Sequence, residues 1–189
     1  MSDVAPRRAI TLCGSLRKGS INEVLRRHMS KKLREAGVDV TDLDLNDYPM
    51  PVFNQDIEDA GDTPEAARQL AEMFRTYDIV LIISPEYNGG ITPLVANVIA
   101  WTSRTKPNPF KHAIWGIGGL SDGKYATIFG LSHLRDSLSK VGALVVPTLL
   151  GLGPWPDVFD AEGNPNESNI QWKVGQMVRE LTHFSRGGI

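Results

Sequence analysis

Residues 79–83 read Ile-Val-Leu-Ile-Ile. A strand with one face in water alternates apolar and polar residues, so a run that is apolar at every position must be covered on both faces. Strands of that kind belong to parallel sheets, where each crossover carries a helix. The rest of the chain supplies the helices. Ala9–Cys13 is a β-rich run, and Ser20–Ala36 follows with helical period, placing Ile21, Leu25, Met29 and Leu33 on one stripe. Ser20 and Glu23 have the spacing of a capping box, and Gly37 stands where a helix C-cap is expected. Val38–Leu45 alternates at Val38 and Val40 and holds three Asp residues, which suits an edge strand.

Residues 46–63, with Pro49, Pro51 and Gly61, read as a long loop. Thr63-Pro64-Glu65 opens a helix with an N-cap and Pro at the first helical position, running to Tyr77. Asp78–Ser84 is the next strand, and Thr92-Pro93 opens a helix to Ser103. Ala113–Gly118 and Ala143–Val146 are further strands, with a helix between them near Tyr125–Val141. The last helix is Ser168–Phe184. This order predicts an α/β fold, an open parallel sheet with helices on both faces, as one domain over residues 1–189.

A balance of 20 basic against 22 acidic side chains lacks the basic surface that a nucleic-acid partner requires. The single Cys13 excludes an intramolecular disulfide, and the four His show no metal-ligand spacing. Met1–Arg8 has no apolar segment of the signal-peptide kind, and no apolar run approaches the ~20 residues of a membrane helix. A cytoplasmic location with no membrane partner is the expectation.

In open parallel sheets, ligands sit beyond the carboxyl ends of the strands. The loop after Cys13, Gly14-Ser15-Leu16-Arg17-Lys18-Gly19-Ser20-Ile21-Asn22, lacks the glycine fingerprint of a dinucleotide fold and that of an NTP-binding loop. It does place hydroxyls, a guanidinium and an ammonium directly before a helix N-terminus, which suits a permanent phosphate anchor. The plainer alternative is that Ser20 caps the helix while Arg17 and Lys18 are solvated. The loop after Ser84, Pro85-Glu86-Tyr87-Asn88-Gly89-Gly90, offers an aromatic face and two glycines that let backbone approach a flat ligand. Asn88-Gly89 is also a hairpin signal, weak here because no alternating strand follows. The third loop, Gly116-Ile117-Gly118-Gly119-Leu120-Ser121-Asp122-Gly123-Lys124, is ambiguous alone and gains weight from its place on the same sheet edge.

Gly14-Ser15-Leu16-Arg17-x-x-Ser20-x-Asn22 followed by Pro85-Glu86-Tyr87-Asn88-Gly89 resembles the NADPH-dependent FMN reductase family of flavodoxin-like proteins, which includes bacterial chromate and quinone reductases. The resemblance extends from the first strand to Phe159-Asp160. It implies a three-layer sandwich with five parallel strands in the order 2-1-3-4-5, FMN at the switch point, and a homodimer or dimer of dimers. By that resemblance Ser15, Arg17, Ser20 and Asn22 hold the FMN phosphate. Pro85, Glu86, Tyr87, Asn88 and Gly89 line the remainder of the cofactor, and Gly119 and Ser121 approach from the third loop. Family members often carry further glycines where this chain has Asp122 and Lys124. The implied activity is ping-pong hydride transfer from NADPH or NADH to bound FMN, then to a quinone, free flavin, ferric complex or chromate. No side chain need act as acid or base. The alternative is a flavodoxin-type electron carrier that does not oxidise NAD(P)H.

Arg104 is a candidate substrate-binding cation, or else a cation at a helix C-terminus. The helix Pro93–Trp101 is apolar nearly all round, which predicts cover from other elements or from a second subunit. Arg26, Arg27, Lys31, Lys32 and Arg34 read as a solvated face, and Cys13 as an inert core thiol. Trp155 and Phe159 read as ordinary packing, with cover for a neighbouring subunit's flavin as the alternative.

Overall fold

The computed structural model describes residues 5–123, 125–160 and 164–186; Lys124 of the third loop lies outside them. The chain runs β1 (Arg8–Cys13), α1 (Ile21–Glu35), β2 (Asp39–Leu43), α2 (Gln55–Asp59), α3 (Glu65–Thr76), β3 (Ile79–Ile83), α4 (Pro93–Thr102), β4 (Ile114–Leu120), α5 (Ile128–Lys140), β5 (Leu144–Leu152) and α6 (Ser168–His183). All strand pairs are parallel, in the order β2-β1-β3-β4-β5. The expected α/β fold and strand order are therefore observed, with the Asp-rich β2 on an edge.

The continuous apolar run of β3 serves both faces. Ile79, Leu81 and Ile83 join one buried cluster with Leu25, Met29 and Leu33 of α1 and Ile170, Val174, Met177 and Leu181 of α6. Val80 and Ile82 join the other, with Leu70 and Phe74 of α3, Val95, Val98 and Ile99 of α4, and Leu131, Leu134 and Leu138 of α5. Removal of this apolar area from water on both sides is the main stabilising contribution to the three-layer arrangement.

Several expectations are corrected. The loop over 46–63 contains the short helix α2 and a 3-10 turn, Leu45–Asp47, each opened by a carboxylate or carboxamide that accepts a backbone N–H two residues on. Helix α3 begins one residue later than expected, with Pro64 itself at the cap and no side-chain cap bond. Strand β5 continues past Pro147, which cannot donate to the ladder and so reads as a stop. The ladder tolerates it through a register shift opposite Trp115–Ile117. The Arg135 guanidinium donates to the carbonyls of Val146 and Pro147, and the buried Glu180 carboxylate accepts from the backbone and hydroxyl of Thr148.

Helix α4 begins as expected, with Thr92 as cap and Pro93 in its first turn. Its apolar face is covered in part by residues 51–53. The Pro51 carbonyl accepts from Trp101 Nε1 at 2.8 Å, and Phe53 meets the Trp101 ring edge-on. A shallow apolar hollow of about 470 Å³ remains beside it, lined by Val52, Phe53, Leu94, Ala96 and Ala100 among others.

Candidate functional site

Strands β1, β3 and β4 deliver three loops to one edge of the sheet, and close packing laces them together. A Cβ on Gly14 would stand 2.5 Å from Ser84 Oγ and 2.7 Å from a Val95 methyl, so only glycine lets the first loop leave β1 at this point. The Gly14 N–H donates to the Ile83 carbonyl, and Thr92 Oγ1 donates to the Gly14 carbonyl at 3.0 Å. The loop then turns back on itself. Ser20 N–H donates to the Arg17 carbonyl, and Gly19 takes a left-handed φ of +70°.

Ser20 occupies the cap position of α1 without making a side-chain cap bond, and Glu23 turns away to Arg26 and Arg27. The expected capping box is therefore absent; the Glu23 N–H donates to the Ser20 carbonyl at 3.0 Å, and the Ile21 and Asn22 N–H groups ahead of it are left for an external acceptor. The Arg17 guanidinium makes no hydrogen bond or ion pair to another described residue. Cationic and N–H donors without partners thus converge with the Ser15 and Ser20 hydroxyls, the donor set of an anion cradle.

The second loop does form the hairpin turn that seemed disfavoured. Tyr87 and Gly90 exchange both backbone hydrogen bonds, with Asn88 at φ +52° and Gly89 at φ +73°. Those two positive values define a primed turn, which Asn-Gly adopts with little strain even where no long strands flank it. Glu86 Oε2 accepts the Gly130 N–H in the first turn of α5 at 2.7 Å. Gly130 keeps this approach close, since a Cβ there would lie 3.0 Å from the Gly90 carbonyl and 3.1 Å from Glu86 Cγ and would press both back by a few tenths of an ångström. The Glu86 carboxylate is thus held against the positive end of a helix.

The third loop is pinned by Asn22. Its side-chain amide donates to the Leu120 carbonyl and its side-chain carbonyl accepts the Leu120 N–H, both at 2.8 Å in a buried setting. The Asn22 carboxamide thus ties α1 to the end of β4, which leaves its backbone N–H at the start of α1 as the group that faces an external acceptor. Gly119 is buried behind the site, where a Cβ would meet the Ser84 carbonyl at 2.3 Å and Thr127 Oγ1 at 2.7 Å. Its part is to let β3, β4 and α5 approach one another.

Between the loops lies a cleft of about 280 Å³. Ser15, Arg17, Ser20, Asn22, Pro85, Glu86, Tyr87 and Ser121 all line it, so eight of the expected residues come together. Asn88, Gly89 and Gly119 do not line it. Ile21, Leu120 and Asp122 do; Ile21 and Leu120 escape notice in the sequence because apolar residues next to a loop look like ordinary core, and Asp122 stands out there only as a departure from the family's glycines. Arg104 is elsewhere, at the C-terminal end of α4, 3.4 Å from Glu58 and over the Phe53 ring. Phe159 packs in the core beside His28, with Trp155 against the same cluster, in line with ordinary packing. Cys13, buried at the end of β1, has its thiol pKa pushed up by burial, as expected of an inert thiol.

The cleft pairs the Arg17 cation and the Ser15 and Ser20 hydroxyls with the apolar groups of Ile21, Pro85, Tyr87 and Leu120. That pairing fits a planar ring carrying a phosphorylated side chain. A family model described as NADPH-dependent FMN reductase matches residues 7–156. The chain belongs to that family. The FMN reductase reading covers all three loops, and it makes the chain an NAD(P)H-dependent flavoenzyme with FMN as cofactor. An NAD(P)H-dependent FMN reductase of Pseudomonas aeruginosa is 29% identical over 187 residues, 95% of each chain. A quinone reductase of Escherichia coli is 32% identical, covering 93% of this chain and 92% of that protein. Among solved structures, the flavoenzyme NAD(P)H:(acceptor) oxidoreductase FerB of Paracoccus denitrificans superposes with a TM-score of 0.78 at 25% identity. That match covers 95% of this chain and all of FerB.

Proposed function

We propose that this FMN reductase takes hydride from NADH or NADPH and delivers it to a quinone-type acceptor by a ping-pong sequence at the described cleft. Bound there, FMN would supply the hydride-accepting chemistry. Ser15, Arg17, Ser20 and the leading amides of α1 hold its phosphate, and Asn22 fixes the distance between that cradle and Leu120. Pro85, Tyr87, Leu120 and Ser121 orient the ring portion, with Asn88 and Gly89 shaping the turn that carries Tyr87. Tyr87, half exposed, leaves a side of the cleft open to solvent. The two substrates use that side in turn.

The acceptor class rests on the relatives named quinone reductase; free flavin, ferric complexes and chromate are further acceptors that an open cleft admits. Among the described residues no helix is long and apolar enough to cross a membrane, and we place the enzyme in the cytoplasm. The apolar hollow beside α4 supports assembly as a homodimer, alone or as a dimer of dimers. Arg104 can serve an anionic substrate only if a second subunit brings a cleft to it, because ten helical residues carry it about 15 Å from Thr92.

The observation that carries this function is the unpartnered Arg17 beside the free amides of α1. Steady-state kinetics with NADPH and benzoquinone as varied substrates are the test. Parallel double-reciprocal lines, with Arg17→Ala lowering FMN occupancy about tenfold or more through loss of a charge-assisted anchor, are expected. Intersecting lines would overturn the ping-pong sequence. Full FMN occupancy in Arg17→Ala would remove the anion cradle from the binding account. A protein that binds FMN but leaves NADPH unoxidised would be an electron carrier.

A further inference from the structure

Glu23 is the third residue of α1, in the turn whose free amides face the cleft. A carboxylate there competes with a phosphate dianion for the same positive helix end. Glu23 also lines a hollow of about 420 Å³ that shares Ser15, Arg17 and Ser20 with the cleft, so its charge lies alongside the cradle.

Arg26 answers that charge. Its side chain is 9% exposed, and it grips both Glu23 oxygens, at 2.6 and 2.7 Å. The same guanidinium reaches Asp42 of β2 and donates to Thr11 Oγ1 of β1 at 2.9 Å. Asp42 is itself held by Arg34 at 2.7 Å, and Arg27 adds a further contact to Glu23 at 2.9 Å. Far from being a solvated cation, as the helical pattern implied, Arg26 has its donors committed to Glu23, Asp42, Thr11 and Ser30. With those donors engaged it is unavailable as a phosphate ligand.

We propose that Arg26 is a positioning residue for the cofactor phosphate: anchored on Asp42 and paired with Glu23, it screens the Glu23 carboxylate from the cradle formed by Ser15, Arg17 and Ser20. This rests on the FMN reading of the cleft. The role is electrostatic, so it distinguishes a phosphorylated flavin from an unphosphorylated one.

Flavin-stripped protein is titrated with FMN and separately with riboflavin, followed by quenching of flavin fluorescence. Arg26→Met raises the Kd for FMN about tenfold, the effect of one uncompensated charge at short range, and leaves the riboflavin Kd unchanged. Adding Glu23→Gln to that variant restores FMN affinity. Glu23→Gln alone, which keeps a hydrogen-bonding group, tightens FMN about threefold by the same reasoning. Equal losses for FMN and riboflavin in Arg26→Met, or failure of the second substitution to restore binding, would overturn the proposal and leave Arg26 a structural clamp. Should Arg26→Met not fold, Glu23→Gln decides alone, since an unchanged or weaker FMN Kd is incompatible with screening. A wild-type protein that binds neither flavin would overturn the FMN reading along with it, whereas wild-type binding that is indifferent to Glu23 defeats only the screening role.

Discussion

Asp42 sits on the edge strand, yet Arg26, Arg34 and the Thr11 hydroxyl all donate to it. Partial burial alone would raise its pKa, but the hydrogen bonds from Arg34, Ser30 and Arg26 outweigh that and hold the carboxyl well below its ordinary 3.8. A carboxyl depressed in the folded state stabilises the protein above its unfolded pKa, and the contribution is lost as pH falls through the folded value. Because the side chain is 39% exposed, solvent screening limits the contribution to about 1 kcal/mol. Asp42→Asn is therefore expected to lower urea stability by about that amount at pH 7 and to flatten the acid limb below pH ~4. Equal slopes of stability against pH for the two proteins would show that Asp42 does not carry this dependence. The pairing was not legible in the sequence. Arg26, Arg27, Lys31, Lys32 and Arg34 crowd one helix, and nothing in that pattern marks the one guanidinium that turns in towards β1 and β2.

Elements α1 and β4 meet through one carboxamide. Asn22 satisfies both polar backbone groups of Leu120, and its residue is 2% exposed. An unsatisfied buried backbone group costs about 1–3 kcal/mol, so Asn22→Ala should destabilise the flavin-free protein by about 2 kcal/mol or more. Chemical denaturation without FMN is the relevant measurement. A residue that only touched the phosphate would leave flavin-free stability untouched and change the FMN Kd alone. The Tyr87–Gly90 turn makes a similar point. Asn88-Gly89 announced a primed turn, and the absence of alternating flanks argued against it, yet a two-residue turn needs only one pair of hydrogen bonds. Strand β5 runs beyond the expected end at Val146, since a register shift with Arg135 and Glu180 as side-chain partners lets it pass Pro147.

Taken whole, the molecule leaves one face of α4 partly bare. Val52 is 84% exposed beside Phe53, Leu94 and Ala100, which makes this apolar hollow the surface on which the proposed homodimer is to be tested. Val52→Asp removes no buried contact, so it should leave the monomer fold intact while shifting a dimer to monomer by at least tenfold in dissociation constant, a cost of about 1.4 kcal/mol or more at a central contact. Sedimentation velocity at micromolar concentration measures this. A wild-type monomer would overturn the proposed homodimer, and a Val52→Asp dimer of unchanged affinity would place the subunit contact elsewhere.

Layering and the three loop positions could be read from residues in a row, because periodicity and loop chemistry are local properties written along the chain, whereas the strand order followed only from the family resemblance. Ser15, Arg17, Ser20 and Tyr87 were legible for the same reason: each sits in a short motif at a strand end. The burial of Arg26 against Thr11 and Asp42, the tie from Asn22 to Leu120 and the isolation of Arg104 are of another kind. Each depends on which groups, 15 to 98 residues apart or on opposite ends of a helix, the packed sheet brings within hydrogen-bonding reach, and no local pattern encodes that distance.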